Sequence, residues 1–305
     1  MIIYGSSDPG GLLFIKENII AKSKHRFRKI KNPHLLKKNI NKTKALAVIT
    51  GSAIGDTIDK KLVSWAKKKN IPSISVIEHW TNFDKRFVLN NKKSYPDFIF
   101  VNDIYAKKLA IKNGIPKDKI IIFGNNYLHK LSQKKIKFNN LNQNRKKILF
   151  ISEPISRDLI GKRNKIFNNE FTYLNLISKN APIDWEIHVK LHPREKYIKY
   201  EKYGKIRKFI KEKNFSKLVN NYEIIVGINS MLLIEIGFLR NNVFCLRLES
   251  KKIFIPSQLK IINQINNIYE LKEIFNKKYV IKKNKKVKNI FKQKVVFDNF
   301  MKSLI

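Results

Sequence analysis

Trp185-Glu186-Ile187-His188-Val189-Lys190-Leu191-His192-Pro193-Arg194-Glu195 decides the fold class, together with Tyr222-Glu223-Ile224-Ile225-Val226-Gly227-Ile228-Asn229-Ser230. Each is a short apolar run of strand character that ends on a polar cluster. The second cluster opens the apolar helix-like run Met231 to Leu239. Polar groups that emerge at strand carboxyl ends mark an open α/β sheet, which binds its ligands there. The two clusters together read as halves of one anion-binding site.

Working outward, short apolar runs alternate with longer amphipathic ones along the chain, the pattern of βαβ units and parallel sheets. Strands are expected near Met1 to Tyr4, Ala45 to Thr50, Ser73 to Ile77, Phe98 to Val101 and Ile120 to Phe123. A weaker one falls near Arg26 to Ile30. Later strands are Lys147 to Ile151, Glu186 to Leu191, Glu223 to Gly227 and Val243 to Leu246. Helices are expected at Leu12 to Ile20 and Asp59 to Lys69, the latter with Leu62, Val63, Trp65 and Ala66 on one face. A Lys-, Asn- and Gln-rich stretch from His129 to Lys146 reads as a linker. The expected organisation is therefore α/β, with two Rossmann-like parallel-sheet domains, 1–135 and 146–275, facing a cleft. A basic tail, 276–305, carries a helix face that could pack back on the first domain.

Composition sets the outer bounds. The 305 residues hold 64 Lys and Arg against 23 Asp and Glu, a formal charge of +41. Such a charge favours polyanions and anionic membrane surfaces. Lys is dispersed with abundant Ile and Asn, the pattern an AT-rich genome imposes on surface positions. No helix-turn-helix, zinc-finger or RNA-recognition signature accompanies it, so specific nucleic-acid binding is the non-enzymatic alternative rather than the main reading. Cys245 is the one cysteine, which excludes a disulfide framework and a structural zinc site. The chain opens on a strand-like run without signal-peptide order, and Met231 to Leu239 is too short to span a bilayer. A cytoplasmic protein is expected, peripheral at the inner face of the membrane at most.

The candidate chemistry divides between the halves. In the first, Ser6-Ser7-Asp8-Pro9-Gly10-Gly11 follows the first strand. Its glycines let backbone approach a ligand closely. Gly51-Ser52 through Asp56-Thr57 lines the same sheet edge, with Asp56 or Thr57 as a helix cap. Glu78-His79-Trp80-Thr81-Asn82-Phe83-Asp84-Lys85-Arg86-Phe87 offers a base, a stacking indole and a guanidinium clamp directly after a strand. In the second half, His192 and Arg194 can donate to phosphate oxygens, with Pro193 stiffening the turn. Gly227, Asn229 and Ser230 bring amides to the same anion. No carboxylate cluster for a divalent ion accompanies them, so no metal site is expected and departure of the leaving phosphate should be metal-independent.

The His192-Pro193 and Asn229-Ser230 elements, with Glu235 in the helix that follows, resemble the C-terminal nucleotide-binding domain of GT-B-fold transferases of bacterial surface polysaccharides. Bacterial sialyltransferases and polysialyltransferases, capsule polysaccharide transferases and CDP-glycerol glycerophosphotransferases share this arrangement. The Ser7 to Gly11 turn, the Glu78 to Phe87 run and Tyr95-Pro96-Asp97 look like the acceptor-side domain of polysaccharide-biosynthesis relatives. The resemblance implies that His192 contacts the donor phosphate or assists leaving-group departure. It further implies that Asn229 and Ser230 hold the nucleotide phosphate, and that the base is Asp8, Glu78 or His79. Gly10, Gly11, Ser52, Trp80, Asn82 and Arg86 would line the acceptor side. The chain lacks the acidic Asp/Glu-Asp/Glu-Gly motif of sialyltransferases, which speaks against sialic acid as the transferred group.

The expected activity is transfer of a sugar from a nucleotide-sugar donor to a glycan or lipid-linked glycan acceptor of capsule or lipopolysaccharide type, with no cofactor beyond the activated donor. CDP-glycerol-type glycerophosphotransfer and nucleotide-sugar 2-epimerisation are the enzymatic alternatives. Epimerisation needs several carboxylates around the sugar. The second half offers few candidates at strand ends for that task beyond Glu153, Asp158 and Glu249.

Overall fold

A computed structural model describes residues 1–31, 45–89, 92–134, 146–158, 169–201, 203, 205–210, 215–248, 253–276, 287 and 289–304. Of the sequence readings, Glu249 and most of the linker lie outside the described residues, and the side chain of Asp158 does too. The chain divides into two compact units. One comprises Met1–Lys130 with Lys288–Ile305, and the other Leu131–Val287.

The strands of the first unit are β1 (Ile2–Gly5), β2 (Phe27–Lys29), β3 (Ala47–Thr50), β4 (Ser73–Ile77), β5 (Val88–Leu89), β6 (Lys92–Lys93), β7 (Phe98–Val101) and β8 (Ile120–Ile122). Six of them form one parallel sheet in the order β2-β1-β3-β4-β7-β8, while β5 and β6 make a small antiparallel ribbon. Residues such as Ala-Val-Ile-Thr in β3 and Phe-Ile-Phe-Val in β7 suit a pleated surface covered on both faces. Successive side chains alternate between those faces. Ile2, Ile49, Ile74, Val76 and Phe100 pack with Phe14, Ile15 and Ile19 on one side. Ile3 and Val48 meet Leu62 and Ala66 of the helix Ile58–Lys68 on the other.

The tail completes the first of these layers. Phe297 and Met301, from the helix Phe297–Lys302, are buried in it, and Phe300 stands edge-on to both Phe98 and Phe100. Each such fully buried side chain contributes roughly 1.5–3 kcal/mol. Gly124 shows how closely the tail approaches. At φ +92 it takes a conformation L side chains avoid, and a Cβ there would fall 2.6 Å from the Lys292 carbonyl oxygen.

The second unit holds β9 (Lys146–Ile151), β10 (Trp185–Lys190), β11 (Ile206–Ile210), β12 (Ile224–Gly227), β13 (Val243–Leu246) and β14 (Asn263–Ile265). They form a parallel sheet in the order β11-β10-β9-β12-β13-β14. Its core runs from Ile148, Phe150 and Val189 to Tyr173, Leu174 and Ile177 of the helix Glu170–Asn180. Both edge strands, β11 and β14, were absent from the sequence reading. In β11 the central Arg207 and Lys208 are exposed, as an edge strand tolerates and an apolar-run criterion misses. The helix expected over Leu12 to Ile20 is broken in kind. Pro9–Phe14 is α-helical, Ile15–Ile19 widens into a π turn, and Ile20–Lys22 tightens to 3-10.

Candidate functional site

In the first sheet the chain leaves β1 toward β2 on one side and returns to β3 on the other, so the connections after β1 and β3 diverge. That crossover point is where open α/β sheets form their ligand crevice. It is furnished here by Ser6, Ser7 and Asp8 after β1, Gly51 and Ser52 after β3, and Glu78 after the neighbouring β4. Asp8 is the N-cap of the helix Pro9–Phe14, accepting the Gly10 amide at 3.4 Å. Ser6 Oγ accepts the Asp8 amide at 3.1 Å and donates to the Asp8 carbonyl at 2.9 Å, which fixes the turn. The glycines permit close packing: a Cβ on Gly10 would lie 3.2 Å from Glu78 Cγ, and one on Gly51 only 2.2 Å from Ser6 Oγ.

Glu78 is the electrostatic centre of this edge. It is buried, and burial pushes its carboxyl up to about 8. Arg86, with Nη1 3.9 Å from Glu78 Oε1, opposes that rise, whereas the neighbouring Asp8 carboxyl adds to it. A buried carboxyl with a second carboxyl beside it keeps its own proton toward neutrality. Asp8 is partly exposed and open to a ligand, with Glu78 beneath it. A third carboxylate, Asp59, was missed in the sequence reading. It accepts the Ser7 amide through Oδ2 at 3.0 Å, and its buried Oδ1 has no protein partner among the described residues. Its signal was available, since Asp59 stands in the first turn of a helix whose start faces the same edge.

Several residues read as ligand contacts serve the scaffold instead. Arg86 is buried and donates to the Ser52 carbonyl at 3.2 Å, to Ser52 Oγ at 3.0 Å and, from Nε, to the Thr81 carbonyl at 3.2 Å. Rather than clamping an anion, it ties β3 to the loop after β4. Trp80 presents no open stacking face, because it is buried against Phe291 and donates from Nε1 to Asp103 at 2.9 Å. Burial lifts the Asp103 carboxyl to about 6. His79 is also buried, with Nδ1 2.9 Å from Thr81 Oγ1. Asn82 is exposed at φ 60 before the short helix Phe83–Arg86. Neither Asp56 nor Thr57 caps the helix Ile58–Lys68 through its side chain. Beyond Glu78 the buried polar row continues: Asn102 donates to the Glu78 carbonyl at 2.6 Å, and Asn125 to Asn102 at 3.0 Å.

The second sheet crosses over between β9 and β12, whose paired ends Ile151 and Gly227 place the following loops side by side. One loop carries Ser152 and Glu153, the other Asn229 and Ser230. Glu153 bridges them, its Oε2 accepting the Asn229 amide at 2.6 Å and its carboxylate also taking the Ser230 amide. This alters the sequence reading, in which those two amides awaited an external anion. Burial raises the Glu153 carboxyl to about 7 against the pull of the two amides. Ser230 is the N-cap of the helix Met231–Leu239 but makes no side-chain cap, which leaves the first-turn amides to a ligand. Arg247 reaches Asn229 Oδ1 and lies 4.5 Å above the Phe254 ring.

The His192-Pro193-Arg194 turn follows β10. Glu195 holds it, accepting the His192 amide at 2.9 Å, and Glu195 is held in turn by Ser152 Oγ at 3.0 Å and by Lys199. Lys199 also meets Glu170, whose carboxylate receives the Ser156 amide at 2.8 Å. His192 Nδ1 accepts the Arg194 amide at 3.2 Å. Pro193 and Arg194 are exposed, Gly227 is buried at its strand end, and Glu235 lies half-buried in the helix. Among the described residues no group of three His, Cys, Asp or Glu side chains could hold a metal ion, and no helix is long and apolar enough to cross a membrane.

No protein-family model matches the chain, and no curated protein sequence matches it. Solved structures do. UDP-GlcNAc 2-epimerase of Methanocaldococcus jannaschii, solved with UDP-GlcNAc and UDP, superposes with a TM-score of 0.64 at 17% identity, covering 99% of this chain and 98% of its own. The Neisseria meningitidis UDP-GlcNAc 2-epimerase bound to UDP-GlcNAc gives 0.59 at 15% identity, covering 90% of each chain. Anabaena HepE in complex with UDP-glucose gives 0.56 at 10%, covering 91% of this chain and 89% of its own. At these identities the likeness establishes the fold, and the chain has two parallel-sheet α/β units of the GT-B-like kind.

Proposed function

We propose that the protein is a nucleotide-sugar-dependent glycosyltransferase that extends a bacterial surface glycan. One observation carries the reading: the buried Glu78 carboxyl paired with the more open Asp8 at the crossover of the first sheet. Near neutrality Glu78 retains its proton, and the more exposed Asp8 is assigned as the base. Asp8 takes the proton of an acceptor hydroxyl while that oxygen bonds to the anomeric carbon. The bond from that carbon to the donor phosphate breaks, and its electron pair leaves with the nucleotide. Within the second unit, His192, Arg194 and the first-turn amides of the helix Met231–Leu239 suit the charge that develops on a departing phosphate. No step calls on a divalent ion, so transfer is expected to continue in EDTA. The solved proteins of this fold that hold UDP-sugars support a nucleotide-sugar donor. The excess of Lys and Arg supports a site of work against an anionic membrane face.

A second reading, nucleotide-sugar 2-epimerisation, is favoured by the gathering of Asp8, Asp59 and Glu78 at one edge. Removal and return of a proton at a sugar carbon needs such a set. These carboxylates stand in the first unit, whereas Glu153, Asp158 and Glu249 belong to the second half. Incubation with UDP-sugars separates the readings: conversion without any acceptor selects epimerisation, and turnover only with an added glycan acceptor selects transfer. A thermal-shift series with CMP, CDP, UDP and GDP identifies the donor base, and no shift with any of them counts against both.

A further inference from the structure

A cavity of about 510 Å³ opens beside the Ser6-Ser7 turn, lined by Ser6, Ser7, Lys29, Lys31, Thr57 and Lys61 among others. Its volume is that of a small-molecule site. Asp56 is the acidic residue of the lining, and it pairs with Lys61 at 3.2 Å. Among the described residues no carboxylate pairs with Lys29 or Lys31. Ser7 Oγ accepts the Ile58 amide at 3.2 Å, so its own hydrogen points elsewhere, whereas Ser6 Oγ already donates to the Asp8 carbonyl and Thr57 Oγ1 is buried. Thr57 is the N-cap of the eleven-residue helix Ile58–Lys68 and makes no side-chain cap, so Ser7 Oγ takes the first helix amide in its place.

We propose that this cavity binds a phosphate group. The cations come from two elements: Lys29 and Lys31 from the end of β2 and the residues after it, and Lys61 from the helix Ile58–Lys68. An acceptor with several oxygens suits such donors better than a planar carboxylate, which favours the fork of an arginine. The cavity also shares the Ser6-Ser7 turn with Asp8. If the transferase reading holds, the phosphate therefore belongs to the acceptor, as a sugar phosphate or a phosphorylated lipid carrier. That extension rests on the transferase reading, whereas the phosphate site does not.

The test is calorimetric titration of the full chain with inorganic pyrophosphate and with glucose 1-phosphate, beside flotation on phosphatidylcholine vesicles with and without phosphatidic acid. The Lys29→Glu/Lys31→Glu variant should lose on the order of tenfold or more in affinity. Both side chains are exposed, so its circular dichroism should match the parent. The variant Lys67→Glu/Lys68→Glu carries the same charge change at the other end of the helix and should keep its affinity. Loss for soluble phosphates assigns a sugar-phosphate ligand, and loss for acidic vesicles alone assigns a lipid headgroup. Absence of binding by the parent protein, or equal loss in both variants, overturns the site. UDP binding is measured in parallel. If it is absent while the phosphate effect stands, the transferase reading falls and the cavity assignment survives.

Discussion

Replacing Glu78 by Gln is expected to stabilise the first unit as pH rises above 5, and the pH dependence carries the proof. In the folded protein the Glu78 carboxyl sits at about 8 against an ordinary 4.5. The fold therefore binds this proton more tightly than the unfolded chain does. Below pH 4.5 both states are protonated and no cost arises. As pH rises from there toward 8, only the unfolded chain gives up its proton, and stability falls by about 1.4 kcal/mol per pH unit. Above pH 8 the loss is complete, with a ceiling of about 5 kcal/mol and about 3 kcal/mol of it present at pH 7. Gln is isosteric and carries no charge, so Glu78→Gln should escape this decline. Amide hydrogen exchange of peptides covering β4, compared between the two proteins at matched pH, reads the local free energy without requiring two-state unfolding of both units. The difference should be small at pH 5 and widen steadily to pH 8. A difference independent of pH would refute the raised Glu78 carboxyl.

His192→Ala should abolish transfer with little change in thermal stability, since its side chain is only half-buried and its Nδ1 bond lies within the turn; full activity would remove it from the donor site. Arg86→Met should destabilise the first unit by about 3 kcal/mol, because it strips donors from Ser52 and Thr81 and a positive neighbour from Glu78. A cost under about 1 kcal/mol in urea unfolding would show that those contacts contribute little. Glu153 adjoins the helix turn assigned to the donor phosphate, and its carboxyl sits at about 7, so nucleoside diphosphate affinity should weaken as pH rises through 7 and Glu153 becomes charged. Glu153→Gln should flatten that profile in calorimetric titrations, and an unchanged profile would place the phosphate elsewhere.

Most of the architecture was legible because buried parallel strands are written as short apolar runs. Ser73–Ile77, Phe98–Val101 and Val243–Leu246 stand where their composition puts them. The strands that escaped, β11 and β14, carry Arg-Lys and Asn-Gln where an interior strand would carry Ile or Val. At the site, position was legible and occupancy was not. Asp8, Glu78, His192 and Asn229 could each be placed at a strand end from the order of residues. Whether a polar group there faces a ligand or a neighbour depends on its partner, and the partners lie far off in sequence. Glu153 meets the Asn229 amide 76 residues away, and Arg86 meets Ser52 across 34. Trp80 looked like a stacking surface until Phe291, from the tail, was found against it.

That tail sets a timetable for biosynthesis. Ribosomes deliver a chain from its amino end, and domains begin to fold as they emerge. Phe291, Phe297, Phe300 and Met301 leave the ribosome after every strand of the second unit, yet they cover Trp80, Phe98 and Phe100 of the first. The second unit can thus mature while the first still shows an apolar face to the cell. The unit begun earliest is the last to close, and a chaperone's attention falls on it for the whole of that interval.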